Sequence, residues 1–273
     1  MATVVPVFLE GERPDSLSGT PRAYAIDRWI YVFTAASFVA ITLAGFIPDS
    51  LHKIAAVNSG ARPPLPLVMH VHAVLMGSYL LLLLTQTWLA ATGKLSWHMQ
   101  LGALVFAIVP AIMVAGFVLA RTVYLEFWQT AQMAAPGIRK GLEVVLSRKE
   151  NVLLAQMRQG LLFPLFLSIG LLARRTDAGL HKRMMMLATV VVLPAAIDRI
   201  LWLPNTFPQS YMATEAYTLL AISPMFVWDT IRNGVVHRAY LIWLSISLPF
   251  AIALHALWDT PSWHVIARQL IGP

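Results

Sequence analysis

Long apolar stretches recur along this chain, and they constrain its fold more than any other feature. A helix that crosses a bilayer needs about 20 mostly apolar residues. Seven stretches come near that length, at residues 26–47, 65–90, 98–120, 153–173, 183–203, 216–231 and 239–258. The sixth is the shortest and contains Pro224. The sequence therefore predicts an all-α fold, a polytopic transmembrane helical bundle of about seven spans.

The composition agrees with this prediction. Charged residues make up 12% and hydrophobic residues 58% of the chain, whereas a soluble domain usually carries about a quarter charged residues. The formal net charge is +7, and Lys and Arg lie mostly at span ends, where they anchor helices to anionic headgroups. We therefore expect a lipid bilayer and no nucleic acid as the partner. The chain has no cysteine, which excludes disulfides and thiolate metal sites.

Two segments lie outside the apolar stretches. Residues 1–25 combine charged residues with prolines and have no long apolar core, which predicts a polar N-terminal tail and not a signal peptide. Residues 26–273 are expected to form a single transmembrane domain. Within it, the long connection at about 121–152 carries aromatic residues and two charged clusters, which predicts one or two interfacial amphipathic segments. An ordinary loop is the alternative.

The distribution of Lys and Arg between the two sides of the membrane gives only a weak indication of the orientation of the chain. They divide between the two sides of the predicted topology as ten against nine, so the positive-inside rule decides little. The tight hairpin turns all lie on the side of the N-terminus. We expect a membrane protein whose N-terminus is cytoplasmic.

Three consecutive pairs of spans share one pattern. Each pair is joined by a short turn, a histidine opens the second helix, and a proline follows that histidine 12 or 13 residues later. The histidines are His98, His181 and His237, and the prolines are Pro110, Pro194 and Pro249. This pattern predicts one leading helix plus three related helix hairpins.

The three hairpin histidines are expected on one membrane face. Neutral imidazole is the commonest metal ligand, so His98, His181 and His237 could hold a divalent metal. Asp177 and Asp229 lie near the same face and could supply oxygen ligands. The alternative is that each ring is an interfacial anchor at the level of the headgroups.

A second histidine set is expected toward the opposite face. His70 and His72 open the second span, and residues two apart lie about 200° apart around a helix, so only one of the two can face a given neighbour. His255 falls at a similar depth in the last span. Two histidines at matched depth on different helices are what axial ligation of a b-type haem requires. Hydrogen-bonded histidines within the bundle are the alternative.

Polar residues inside the spans form a third candidate set. Asp198 and Arg199 lie in the last third of the predicted fifth span, where ionisable groups usually face the bundle or a cavity. Arg199 could reach a carboxylate, a lipid headgroup or an anionic ligand, or extend toward Trp202 at the interface. Gln86, in the second span, could hydrogen-bond between helices.

Several of these positions resemble a known family. The run from His70 to Val74, Gln86, and Trp97-His98 are similar to segments of bacterial multi-span proteins related to the DUF2306 group, and the segment Gly179-Leu-His-Lys-Arg-Met-Met-Met-Leu-Ala-Thr is the strongest match. The resemblance implies the same membrane fold and gives weight to the histidines of both sets except His255. It implies no activity.

Two classes of function remain open on the sequence. One is a membrane protein that binds a metal or b-type haem through histidines, in redox chemistry or metal handling. The other is a non-enzymatic accessory subunit of a larger membrane complex, or a small-molecule transporter or binder. No lysine lies within a predicted span, which excludes a retinal Schiff base there, and no Gly-rich phosphate loop supports ATP-driven transport. No catalytic residue is assigned.

Overall fold

The computed structural model describes Asp15, Leu17 and residues 25–272. Within these residues the chain is helical and contains no strand, so the predicted all-α fold is confirmed. The helices are α1 (Ala25–Asn58), α2 (Leu67–Ala91), α3 (Leu95–Gly102), α4 (Val105–Met133), α5 (Pro136–Ala173), α6 (Ala178–Val190), α7 (Pro194–Ile197), α8 (Met212–Asn233), α9 (Arg238–Leu257) and α10 (Pro261–Ile271).

Six helical segments in the described part of the chain are long and apolar enough to cross a bilayer. They are Ile26–Asn58, Leu67–Ala91, Leu95–Met133, Pro136–Ala173, Ala178–Ile197 and Arg238–Leu257. The predicted helical membrane bundle is therefore confirmed. The predicted sixth span, 216–231, lies within α8, which is helical but is not among these six. Glu215, Asp229 and Arg232 reduce the apolar character of that helix.

Helix α6 lies at the centre of the bundle. It packs against α5 above all, and also against α1, α8 and α9. In the most apolar part of its span, 67% of the residues are buried. The corresponding share is 39% or less in each of the other five spans. Met184, Met186 and Leu187 are at most 1% exposed. A charged residue on α6 is therefore surrounded by protein and needs a partner within the bundle.

The predicted proline positions have different structural roles. Pro110 and Pro249 lie inside α4 and α9, whereas Pro194 opens α7 after a break that follows Val190. Proline lacks a backbone N–H and is therefore suited to the first turn of a helix. On α1, a Cβ on Gly45 would clash with the carbonyl oxygen of Ala196, so this glycine allows α1 to approach α7.

The connection 121–152 is helical, and the loop interpretation of it is wrong. It consists of the end of α4 and the start of α5. Helix α5 has 38 residues, or roughly 57 Å at 1.5 Å per residue, which is longer than the hydrocarbon core of about 30 Å. Helix α10 packs against both α4 and α5. The three share a buried apolar cluster of Tyr124, Ala131, Leu146, Leu153, Trp263, Ala267 and Ile271; we call this unit the three-helix head.

Most of the predicted polar tail, residues 1–25, lies outside the described residues. Two residues of this tail that the structure describes, Asp15 and Leu17, pack against the bundle. Leu17 is 5% exposed and belongs to the main apolar core. Asp15 forms an ion pair with Arg183 of α6. The chain before the first span therefore contributes both an apolar and a charged contact to the bundle.

Candidate functional site

His98 and His181 lie side by side at the N-terminal end of the bundle, the end where α1, α6 and α9 begin and α2, α5 and α8 end. Their ring centroids are 6.4 Å apart and the rings are at 89° to each other. Each ring is half-buried. Two of the three predicted hairpin histidines are thus brought together.

The same hydrogen bond orients both rings. Nδ1 of His98 lies 3.1 Å from the carbonyl oxygen of Gln86, and Nδ1 of His181 lies 2.8 Å from that of Gly170. Because a carbonyl oxygen only accepts, each Nδ1 carries the proton and donates it. The lone pair of each neutral ring is therefore on Nε2. The two hairpins share this bond from the opening histidine to the preceding helix.

His237 is held differently. It is the N-cap of α9, where its Nδ1 accepts a hydrogen bond from the backbone N–H of Ala239 at 3.1 Å. Its Nε2 faces Gly179 at the start of α6, where an added Cβ would lie 3.2 Å from it. Burial lowers the pKa of His237 to about 4, and the nearby Arg183 charge adds to the effect. The ring is therefore neutral at pH 7.

The aspartates near these histidines are engaged elsewhere. Asp177 accepts a hydrogen bond from the backbone N–H of Leu180 at 2.8 Å and pairs with Arg238. Although burial raises the pKa of Asp177, these two bonds hold it below its usual value. Asp229 pairs with Arg183. Among the described residues, no group of three or more His, Cys, Asp or Glu side chains is arranged to hold a metal.

Arg183 on α6 is a fully buried charge, 0% exposed. Its Nε and Nη2 donate to the two carboxylate oxygens of Asp229 at 2.5 and 2.7 Å. Its Nη1 and Nη2 donate to Asp15 at 2.9 and 3.1 Å. Tyr240 and Asn233 also donate to Asp229, at 2.8 and 2.7 Å. One guanidinium is therefore bound on two sides by carboxylates, in the bidentate geometry that suits arginine.

A second ion pair ties the first helix to α8 at the same end. Asp27 is 0% exposed and accepts bonds of 2.9 to 3.1 Å from Arg232. The indole N–H of Trp228 donates to the same carboxylate at 2.8 Å. The N-terminal end of the bundle thus holds two buried acid–arginine pairs, both of which end on α8.

The structure does not bring the opposite histidine set together. His70 is exposed, whereas His72 is half-buried and packs against Gly116 of α4. Its Nδ1 is buried and has no hydrogen-bond partner among the described residues. His255 is half-buried on α9, which packs mainly against α5 and α6, whereas α2 packs against α1, α3 and α4. The helices that carry the two haem-ligand candidates are not close neighbours.

The predicted intramembrane polar residues have different environments. Both side-chain amide atoms of Gln86 are buried without a partner among the described residues, so the predicted interhelical bond is not formed there. Arg199 pairs with Asp49 of α1 at 3.2 Å and lies over the ring of Phe46 at 4.7 Å. Of its predicted alternatives, the carboxylate is the contact formed, and Trp202 is 76% exposed.

Asp198 belongs to a polar cluster at the other end of the bundle. Thr214 of α8 donates to its carboxylate. Burial raises the pKa of Asp198, and the bonds from Thr214 and Tyr211 oppose that rise. Close by, Arg158 of α5 pairs with Glu215, and its guanidinium lies 5.9 Å from the centroid of Tyr211. This cluster joins α5 and α8 across the bundle.

Glu150 in the three-helix head is a buried anion, 0% exposed. It accepts from Tyr124 at 3.0 Å and from Arg268 at 2.8 Å, and its Oε2 lies 2.6 Å from Nδ1 of His264. Nε2 of His264 lies 3.3 Å from the hydroxyl of Ser147. This resembles the order of groups in a serine hydrolase.

The surroundings of His264 argue against a free catalytic base. Its Nε2 is also 3.2 Å from a carboxylate oxygen of Asp259. Nε2 is therefore shared between the Asp259 carboxylate and the Ser147 hydroxyl, and is not directed at the hydroxyl alone. The two contacts with α5, at Glu150 and Ser147, instead fix α10 on that helix.

Sequence reasoning missed three fully buried charges, Asp27, Arg183 and Glu150. On the sequence, Arg183 counts among the basic residues at span ends, and Glu150 belongs to a charged cluster in the connection 121–152. A usable signal for Arg183 was its place directly before the apolar run Met184 to Ala188, which reads as a fully buried helix. Glu150 gives no comparable signal, because its partners His264 and Arg268 lie more than 100 residues later.

Six long apolar helices define the class of this protein, a helical membrane protein. Comparison with family models, with curated proteins and with solved structures finds no match to the chain. The resemblance to the DUF2306 group therefore stays a prediction.

Proposed function

We propose that this protein binds a divalent transition metal through His98 and His181 and takes part in redox chemistry or metal handling in the membrane. The observation that supports this most is the paired orientation of the two rings. Each is 2.8 to 3.1 Å from a backbone carbonyl through Nδ1. Metal-binding histidines usually donate their other ring N–H to a carbonyl or carboxylate in this way, which fixes the tautomer and raises the basicity of the ligand nitrogen.

The spacing of the rings also supports a shared ion. Metal–nitrogen bonds of about 2.0–2.1 Å bring the centres of two imidazoles on one ion to roughly 5–6.5 Å from each other. The observed centroid distance is 6.4 Å. Two protein ligands leave coordination positions for water or for an exchangeable ligand, which suits an ion that is passed on or reduced.

Metal titration of the purified protein tests this proposal. Protein in mild detergent is freed of metal with a chelator, titrated with Co²⁺ and Zn²⁺, and followed by visible absorption and elemental analysis. We expect one ion per chain and its loss in both His98→Ala and His181→Ala. His255→Ala is the matched control, because that half-buried histidine lies on α9, away from the pair, and it retains the ion.

The outcomes separate the open functions. Folded protein that binds neither ion, or variants that bind as well as the wild type, would refute the metal proposal. If such metal-free protein co-purifies with a larger membrane complex, the accessory-subunit alternative gains support. A visible absorption band near 400 nm in untreated protein would instead support a b-type haem.

We further propose that the protein lies in a bacterial inner membrane with its N-terminal end at the cytoplasmic face. The supporting observation is the short turns between α2 and α3, α5 and α6, and α8 and α9, all at that end. Reporter fusions at residue 93 and residue 134, which lie at opposite ends of the span Leu95–Met133, test it. We expect cytoplasmic reporter activity at the first site and periplasmic activity at the second.

A further inference from the structure

The two carboxylates on Arg183 differ in origin and in access to solvent. Asp229 belongs to α8 and its side chain is 1% exposed. Asp15 precedes the first span, and its side chain is 22% exposed. Asp229 is therefore an integral partner of Arg183, whereas Asp15 approaches the other side of the guanidinium from outside the helices.

The groups around the Asp15 carboxylate are those that recognise a carboxylate. Arg183 donates two bonds to it, and the ammonium of Lys182 lies 3.1 Å from Oδ2. The side-chain amide of Asn233 lies 3.5 Å from Oδ1. We call the space that the Asp15 carboxylate fills, beside Arg183, Lys182 and Asn233, the recess. If Asp15 is set aside, the charged groups around it among the described residues are Arg183, Lys182 and Asp229. Two positive charges against one negative charge favour an anion there.

Tyr31 of α1 provides an independent observation. The residue is 7% exposed, and its hydroxyl is buried without a hydrogen-bond partner among the described residues. The Lys182 ammonium lies 5.4 Å from the centroid of its ring, which places Tyr31 beside the recess. A buried hydroxyl without a hydrogen-bond partner lowers stability by about 1–3 kcal/mol. A ligand that accepts a hydrogen bond from this hydroxyl would remove that cost.

We propose that this recess binds a short aliphatic carboxylate, and that Asp15 occupies it as a tethered ligand. The apolar part of the ligand class follows from Leu17, whose N–H bonds to Asp15 at 3.0 Å and whose side chain lies in the apolar core. Asp15 and Leu17 together thus place a carboxylate and a branched aliphatic group at the recess. A tethered group competes at a high effective concentration, so the free carboxylate binds the wild type weakly.

The test uses the full chain in detergent with sodium isobutyrate as the probe. We expect Asp15→Ala to lower the melting temperature, and isobutyrate at millimolar concentration to restore it in a saturable way. Sodium chloride at matched ionic strength gives no recovery. By calorimetric titration, Asp15→Asn binds isobutyrate at least tenfold more tightly than the wild type. Adding Tyr31→Phe to it weakens that binding about tenfold, which is the loss of one hydrogen bond.

Asp27→Ala is the matched control, because Asp27 also pairs with an arginine but is 0% exposed and belongs to α1. Its melting temperature should be lower than that of the wild type, and isobutyrate should not restore it. Equal recovery by chloride, equal recovery in Asp27→Ala, or no heat of binding to Asp15→Asn would each overturn the proposal. Equal or tighter binding of inorganic phosphate would overturn the assignment to a carboxylate. The test is independent of the metal proposal, since it uses neither His98 nor His181.

Discussion

Arg183 and Glu150 are two fully buried charges at opposite ends of the molecule, and each holds a different part of the chain. Arg183 binds the segment before the first span through Asp15. Glu150 binds the C-terminal helix α10 through His264 and Arg268. In both cases the charge lies on a helix of the bundle, α6 or α5, and a segment distant in sequence supplies a partner. Buried charge thus fixes both the N-terminal segment and the C-terminal helix on the bundle.

The two sites differ in how completely their charges are enclosed. The main partner of Arg183, Asp229, is 1% exposed, whereas the arginine that faces Glu150, Arg268, is 61% exposed. A buried charge that loses its partner is costly because nothing replaces its hydration. Water can reach the Glu150 site more easily than the Arg183 site. We therefore expect substitutions to have larger effects at Arg183.

The largest effect is expected for Asp229→Asn. This change removes the innermost carboxylate from Arg183 and takes an acceptor from Tyr240. Breaking a buried ion pair costs about 3–5 kcal/mol, and the loss is measured as the free energy of unfolding in detergent. Tyr240→Phe removes only one hydrogen bond and should cost about 1 kcal/mol. Equal losses in the two variants would contradict the proposed role of the buried pair.

A smaller effect is expected for Glu150→Gln. The neutral amide keeps the shape of the side chain but loses the charge that attracts His264 and Arg268. We expect a loss of about 2–3 kcal/mol, because the hydrogen bonds involved are charge-assisted. Faster amide hydrogen exchange in α10 is the measurement. Glu143→Gln is the control, because this side chain is 61% exposed and pairs with Arg139 on the same helix. Its charge adds only a minor attraction to Arg268, so the exchange of α10 should change little.

The pH dependence at the N-terminal end follows from His237. Its pKa is about 4 in the folded protein and about 6.5 in an unfolded chain. The unfolded state therefore binds more protons between these values, so stability is full above about pH 6.5 and falls as the pH is lowered toward 4. His237→Asn keeps an N-cap acceptor and does not titrate there. We expect the stability of this variant to fall less than that of the wild type as the pH is lowered from about 6.5 to about 4. Identical pH profiles of stability for the two proteins would contradict this role of His237.

The smallest effect is expected for Asp49→Asn. Asp49 pairs with Arg199 and Lys53, and the side chains involved are 26 to 35% exposed. Exposed pairs contribute about 0–1 kcal/mol because water and salt screen them. Melting curves at low and high salt should differ little between variant and wild type. A loss of stability as large as that of Asp229→Asn would contradict the expectation that buried ion pairs contribute more to stability than exposed ones.

The spans were predictable because apolar length is a local property. Six of the seven predicted stretches overlap, over most of their length, helical segments that are long and apolar enough to cross a bilayer. One of the six is the stretch 183–203, which overlaps the span Ala178–Ile197 formed by α6 and α7. The stretch 216–231 is the weak case on sequence, and α8 is not among the helices that are apolar enough to cross a bilayer. The head was not predictable, since its three helices meet only after the chain folds.

The candidate site was predicted in part. The hairpin spacing singled out His98 and His181, and the structure places their rings side by side. The same spacing gave His237 an equal role, but it caps α9. The pairing of His70 or His72 with His255 rests on depth alone. Depth does not tell which helices become neighbours, and α2 and α9 pack against different partners.

By itself, the sequence determined that this chain forms apolar helices, and that three hairpins have a short turn and a histidine at the start of the second helix. These properties depend on residues close together along the chain, through hydropathy and helix periodicity. Only the tertiary structure decided which polar residues are buried and which partners they have. Asp15 and Arg183 are 168 residues apart, and Glu150 and His264 are 114 apart. A buried charge is tolerated only beside its partner, and helix packing decides where that partner lies.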